Sequence, residues 1–223
     1  MKVLTQIKNW FSGSVIFEAE VEGDSQNVRL GLAVKMAFGA RADLTGAALT
    51  GAVLMGADLT GAALTGADLT GAVLRRADLT GAVLTYAVLR RADLTDAVLR
   101  RADLRRADLT GAVLRRADLT GAVLMGDTKL IGGRPVLQIG PIGSRSDYLM
   151  AFITNKGLYL QTGCFLGDLA QFRAALAKTH NSDLHATEYS AALQLVFSHV
   201  ELWTPKKDAS AETAPLDVHK ASA

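Results

Sequence analysis

Between residues 42 and 126 the chain repeats one five-residue phrase without interruption. It begins Ala42-Asp43-Leu44-Thr45-Gly46 and closes Ala122-Val123-Leu124-Met125-Gly126. Leu stands at every fifth position from Leu44 to Leu124, seventeen copies in all, and Ala stands two residues before each one. A period of five excludes both common backbone forms. On an α-helix five residues advance about 500°, so successive leucines would scatter around every face. On a straight strand, where side chains alternate, an odd spacing throws them to opposite faces. Ala and Leu both point inward in every copy only if the chain turns a corner about once per pentad. Corners of one sense wind a coil, and coils stack at the ~4.8 Å spacing of neighbouring strands. The expectation is a mainly β solenoid with a leucine core and small alanines beside it.

The phrase resembles the motif of the pentapeptide-repeat family, A(D/N)LXX. The resemblance covers about 85 of the 223 residues. It implies a right-handed quadrilateral β-helix with four pentads per coil. The centre is Leu in every copy here, where family members usually mix Leu with Phe. Four pentads per coil would put residues 20 apart on one wall, so Leu44, Leu64, Leu84, Leu104 and Leu124 would form one column of the core. No catalytic, cofactor or metal residue follows from the resemblance.

The same spacing sorts the outward positions. One wall carries Arg75-Arg76, Thr95-Asp96 and Arg115-Arg116, which sets Asp96 between two arginine pairs. The other walls carry Arg90-Arg91, Arg100-Arg101 and Arg105-Arg106 at equivalent heights. Basic residues therefore gather in the later coils, and these ten arginines are the candidate interaction surface. Residues 41–126 hold 11 Arg against 9 Asp, so the solenoid is close to balanced. Many arginines are expected to pair with an Asp two or three residues on, as Arg101 with Asp103. Exposed pairs of that kind contribute only ~0–1 kcal/mol each. Val53, Val73 and Val113 share a wall, an apolar stripe that would suit a homodimer face.

The flanks read differently. In residues 1–40, a strand over 14–22 precedes a helix capped by Asp24 or Ser25 and running to about Phe38. Val28, Leu32, Lys35 and Met36 would share its inner face, Gly39 suits its stop, and Gly31 weakens it. Solenoid ends require covering, so this segment is expected to close the first leucine layer. Past Gly126 the period stops, and 127–203 reads as a small α+β module. Residues 127–134 form an exit turn, with strands over 136–139, 148–154 and 158–162. The turn Asn155-Lys156-Gly157 joins the last two strands. Asp168 would cap a helix to about Lys178 with Leu169, Phe172 and Leu176 inward. A second helix, from about Thr187 to Leu202, would bury Tyr189, Leu193, Val196, Phe197 and Val200, with Trp203 anchoring its end. The module resembles C-terminal regions that accompany pentapeptide repeats in bacterial or prophage proteins. Residues 204–223 are expected to be a disordered tail.

Charge and composition narrow the function. A net charge of +2 argues neither for nor against nucleic acid. No apolar run is long enough to cross a membrane, and the first residues lack a signal-peptide core. The single cysteine, Cys164, precludes an intrachain disulfide and fits a reducing cytoplasm. Cys164 with His180 or His185 would supply a nucleophile pair, but no spacing supports it. The four histidines show no metal-ligand spacing. The Gly-rich stretch Gly140–Asp147, with Arg145, could hold an anion on backbone N–H groups, yet lacks the ending of a P-loop.

The reading is a non-enzymatic scaffold, without cofactor, whose stiff walls present a surface to a protein partner. One alternative follows from the family's quinolone-resistance members, which resemble B-form DNA and engage DNA gyrase. That mimicry needs a strongly acidic surface, which a balanced solenoid does not offer. Ligand binding or catalysis by residues 134–203 is a further alternative. Direct nucleic-acid binding through the arginine pairs is disfavoured, since it needs uncompensated positive charge.

Overall fold

The structure is a computed structural model, and it describes residues 1–144, 147–163, 165–180 and 183–205. It divides into two compact units, Met1–Lys129 and Leu130–Ala223.

In the first unit the pentads wind into a parallel ladder. Bridges join residues 20 apart, from Ala48 with Asp68 and Val53 with Val73 up to Asp103 with Val123. The spacing of four pentads per coil follows from that register. Each bridge is closed by two backbone bonds: Val73 N–H donates to the Ala52 carbonyl at 2.9 Å, and Leu54 N–H to the Val73 carbonyl at 2.8 Å. Every repeat leucine is buried, as are the alanines except Ala42, Ala107 and Ala117, which are partly so. The residue between Ala and Leu points outward, and this is the position that alternates among Asp, Val and Ala.

The corner is a tight turn. Ala47 N–H donates to the Leu44 carbonyl at 3.0 Å, and the same bond recurs around the ladder. The residue two after each leucine has positive φ in all seventeen copies, between 50° at Gly126 and 73° at Gly121. Glycine adopts that region freely, whereas an L side chain meets its own backbone there. Ten corners are Gly. The other seven are Arg76, Tyr86, Arg91, Asp96, Arg101, Arg106 and Arg116.

The N-terminal segment covers the first coil. Strand β1 (Val3–Lys8) pairs antiparallel with β2 (Val15–Val21), and helix α1 (Gln26–Gly39) follows. Strand β1 was not expected from the sequence, since Val3–Lys8 alternates only weakly in polarity. Ser25, not Asp24, caps α1 by accepting from Val28 N–H at 3.2 Å. The expected inner face is corrected: α1 buries Gly31, Ala33, Val34 and Ala37, while Lys35 and Met36 are exposed. The reason lies in Gly31. A Cβ there would stand 1.9 Å from the Val53 carbonyl oxygen, so only glycine lets the helix lie on the first coil. The coil's open backbone groups are taken up by this segment. Ala48 N–H donates to the Lys8 carbonyl at 2.7 Å, Val53 N–H to the Asn27 carbonyl at 3.0 Å, and Trp10 Nε1 to the Gly66 carbonyl at 2.7 Å. At the far end Val123–Met125 (β3) pairs with Thr128–Lys129 (β4).

The second unit is a four-stranded antiparallel meander in the order β5 (Val136–Ile142), β6 (Asp147–Thr154), β7 (Gly157–Thr162) and β8 (Phe165–Asp168). Helices α2 (Leu169–Thr179) and α3 (Leu184–Trp203) pack on it. Leu149, Ala151 and Ile153 alternate along β6 into a core completed by Leu160, Phe172, Leu193 and Val196. Asp168 caps α2 in a reciprocal box with Gln171, and Asp183 starts α3 three residues earlier than expected by accepting from Ala186 N–H. Phe197 is partly buried rather than part of the inner core, where Ala192 takes the place. Residues 206–223, expected as a tail, lie outside the described residues.

Candidate interaction surface

The phrase Asp-Leu-Thr makes its own corner. The Asp carboxylate accepts the N–H of the residue two further on: Thr60 to Asp58 at 3.0 Å, Thr80 to Asp78 at 2.9 Å, Thr120 to Asp118 at 3.0 Å. At Asp68 and Asp93 the threonine hydroxyl adds a second bond of 2.6 Å. These bonds favour the ionised carboxylate. The Thr45 hydroxyl and N–H hold Asp43 below the usual carboxylate range. At Asp68 burial pushes upward, and the bonds from Thr70 and Thr50 outweigh it, leaving the group below its ordinary value. The side chain of Arg105 does the same for Asp103.

All ten paired arginines are exposed. The first member of each doublet sits just before the corner, and in three of the five it reaches an Asp of the next coil. Arg75 Nε lies 3.8 Å from Asp93, Arg90 Nε 3.8 Å from Asp108 and Arg100 Nε 3.0 Å from Asp118. Arg105 instead turns back on Asp103, with Nε at 2.8 Å from one oxygen and 3.0 Å from the other. The second member occupies the left-handed corner. Arg116 pairs with Asp96 at 2.9 Å, which places Asp96 with one of the two pairs flanking it. Arg76, Arg91, Arg101 and Arg106, together with Arg115, have no carboxylate within 4 Å among the described residues. Arg106 lies over the ring of Tyr86, 5.3 Å from its centre. The expected pairing of Arg101 with Asp103 is corrected: Asp103 is taken by Arg105, and the other pairs run between coils.

The corner N–H to the next coil's carbonyl measures 2.8 Å at Gly46, Gly51, Gly56, Gly61, Gly66, Gly71 and Gly81. At Arg76, Tyr86, Arg91 and Arg101 it is 3.0 Å, and at Asp96, a residue more tolerant of this region, it returns to 2.8 Å. The valine stripe is interrupted, since Asp93 stands between Val73 and Val113 in the ladder.

The other sequence candidates fall in the second unit. Gly140 to Ile142 belong to β5 rather than to a loop, and Gly143 N–H already donates to Glu188 at 2.7 Å. That carboxylate occupies the donor an anion would need. Arg145, Ser146 and Cys164 lie outside the described residues. His180 and His185 stack edge to face at 5.4 Å, with His180 Nδ1 at 2.9 Å from Asp183. This arrangement was not anticipated; the Asp183 cap one turn after His180 was the available signal. Among the described residues no His, Cys, Asp or Glu group could hold a metal ion, and no helix is long and apolar enough to cross a membrane.

A ladder of five-residue repeats with a leucine core and outward polar walls defines a β-solenoid. The repeat segment belongs to the pentapeptide-repeat family: residues 40–76, 62–101, 72–111 and 87–126 match the family described as Pentapeptide repeats, in eight copies. Proteins of this family are in general non-enzymatic repeat scaffolds. Among solved structures the chain is similar to HetL, a pentapeptide repeat protein involved in heterocyst differentiation regulation from the cyanobacterium Nostoc sp. strain PCC 7120. Identity is 47% over 34% of this chain and 38% of that chain, with a TM-score of 0.23. A second pentapeptide repeat protein of Nostoc PCC 7120 shares 38% identity over 40% of this chain and 74% of that one, TM-score 0.27. One from the Arabidopsis thaliana thylakoid lumen shares 34% over 36% of this chain and 63% of that one, TM-score 0.17. The chain thus spans well under half of the HetL structure. Among curated proteins none matches.

Proposed function

We propose that this protein is a scaffold whose solenoid, closed as a right-handed quadrilateral β-helix, binds an acidic protein partner through arginines of its later coils. One observation carries the reading. Arginine is placed at corners that favour glycine, and four of those five corner arginines are left without a carboxylate. Strained residues persist where something other than the local fold selects them. Exposed guanidinium groups without an internal carboxylate can take carboxylates of another chain in paired hydrogen bonds. The opposite reading, a mimic of DNA, has no such support: residues 41–126 hold 11 Arg against 9 Asp, so the repeats carry no net negative charge.

The test separates the corner arginines that lack a carboxylate from arginines that pair with the next coil. Binding of a fluorescent oligoglutamate peptide is measured for Arg76, Arg91, Arg101 and Arg106→Gln together, and for Arg75, Arg90 and Arg100→Gln together. The first set is expected to lose binding roughly tenfold or more, at about 1.4 kcal/mol per decade, and the second to change little. Equal losses would contradict the division. Tighter capture of duplex DNA than of the peptide would move the partner to nucleic acid.

A further inference from the structure

The second unit contains a cavity of about 220 Å³ that the scaffold role does not use. Its apolar walls are Phe165, Phe172, Leu176 and Tyr189, and Thr162 and His180 supply polar atoms. The rings stand edge to face, with Phe165 to Phe172 at 5.5 Å and Phe172 to Tyr189 at 5.7 Å. The cavity is open to solvent on one side, so a small molecule can reach the aromatic rings that line it.

His180 ends α2, and Asp183, which caps α3, approaches its Nδ1 at 2.9 Å. The same carboxylate accepts Ala186 N–H at 2.9 Å, so its position is fixed by the helix it caps. A carboxylate on Nδ1 keeps the proton there in the neutral ring and leaves Nε2 as an acceptor. Nε2 has no partner among the described residues. The Tyr189 hydroxyl, by contrast, is already engaged with Thr162 at 3.3 Å.

Size sets the ligand class. A cavity of roughly 150 Å³ accepts benzene, so this one is large enough for a single ring with a small substituent. We propose that the cavity is a binding site for a single-ring aromatic molecule carrying a hydroxyl, of the phenol class. The ring packs among Phe165, Phe172 and Tyr189, and the hydroxyl donates to His180 Nε2.

The test is a titration of the full chain with phenol and, separately, with toluene, followed by amide chemical shifts. Saturable shifts centred on Phe172, His180 and Tyr189 are expected, with phenol about tenfold tighter than toluene, the worth of one hydrogen bond to a buried acceptor. His180→Phe should abolish that preference while toluene still binds. Ala175→Met, which fills the cavity from α2, should weaken both ligands. Absence of saturable shifts with either ligand would overturn the site. Equal affinity for phenol and toluene in the unaltered chain would overturn the hydroxyl class. Undiminished binding in a folded Ala175→Met variant would place the ligand elsewhere and overturn it too.

Discussion

The early and later coils of the solenoid share one backbone and build its corners from different residues. From Gly46 to Gly71 six consecutive corners are glycine. From Arg76 onward seven of eleven are not. The leucine column, the ladder bonds and the Ala-x-Leu walls continue unchanged through both halves, so folding does not call for the difference. A non-glycine residue at a left-handed corner costs about 1–2 kcal/mol. Part of that is returned by packing: a Cβ at Gly111 or Gly121 would meet the Arg91 or Arg101 stem of the coil before, at 3.4 and 3.5 Å. Those stems cover the next coil's corner while their charged ends remain in water. The later coils thus carry strained corners and exposed arginine doublets that the early coils lack.

The largest effect should erase the comparison altogether. Leu84→Asp buries a charge in a column that both halves share, at several kcal/mol. Thermal unfolding should show the whole solenoid lost, and an unchanged midpoint would contradict the inward register. Next is Gly31→Ala, which drives a methyl into the Val53 carbonyl. Amide exchange should then accelerate in the early coils, which α1 covers, more than in the later ones. A uniform acceleration would show that the cap does not favour one half.

Smaller changes sharpen the comparison. Gly61 has open space around it, so Gly61→Arg adds a later-type corner with backbone strain as its only cost. A loss of about 1 kcal/mol is expected from chemical denaturation, and no loss would remove the strain argument. Smallest is the acid response. Asp68 has a folded pKa below its unfolded value, so its contribution is present above pH ~4 and is lost as pH falls through the folded pKa. Thr70→Val removes one of its bonds and should reduce the acid sensitivity of the unfolding midpoint below pH 4. An unaltered slope would assign that sensitivity to other carboxylates.

The pentad period made the ladder legible in the sequence, because no helix or straight strand collects a residue at every fifth place. The coil spacing came from family resemblance, and the bridges of 20 residues agree with it. What stayed hidden was set by tertiary contact. Gly31 looked like a weak helix residue because nothing local marks the approach of Val53. The inner face of α1 was misread for the same reason, since its small residues face a backbone and its larger ones do not. Among the arginines, four of the five corner members have no carboxylate nearby, while Arg116 pairs with Asp96. Which ones pair depends on the carboxylates of neighbouring coils, which the doublet pattern alone does not show. In the second unit the strands and helices followed from alternation and caps, whereas the cavity beside His180 arises from how α2 and α3 meet, which periodicity does not encode.

The most direct measurement replaces Arg76, Arg91, Arg101 and Arg106 with glycine and follows stability and oligoglutamate binding in the same variant. Removing the corner strain should raise stability by about 0.5–1 kcal/mol per site, after the added freedom of glycine in the unfolded chain is counted. Removing the charge should weaken the peptide at the same time. The variant is expected to be more stable than the unaltered chain and to bind the peptide poorly. Lower stability, or peptide binding as tight as before, would refute the exchange of stability for charge at these corners.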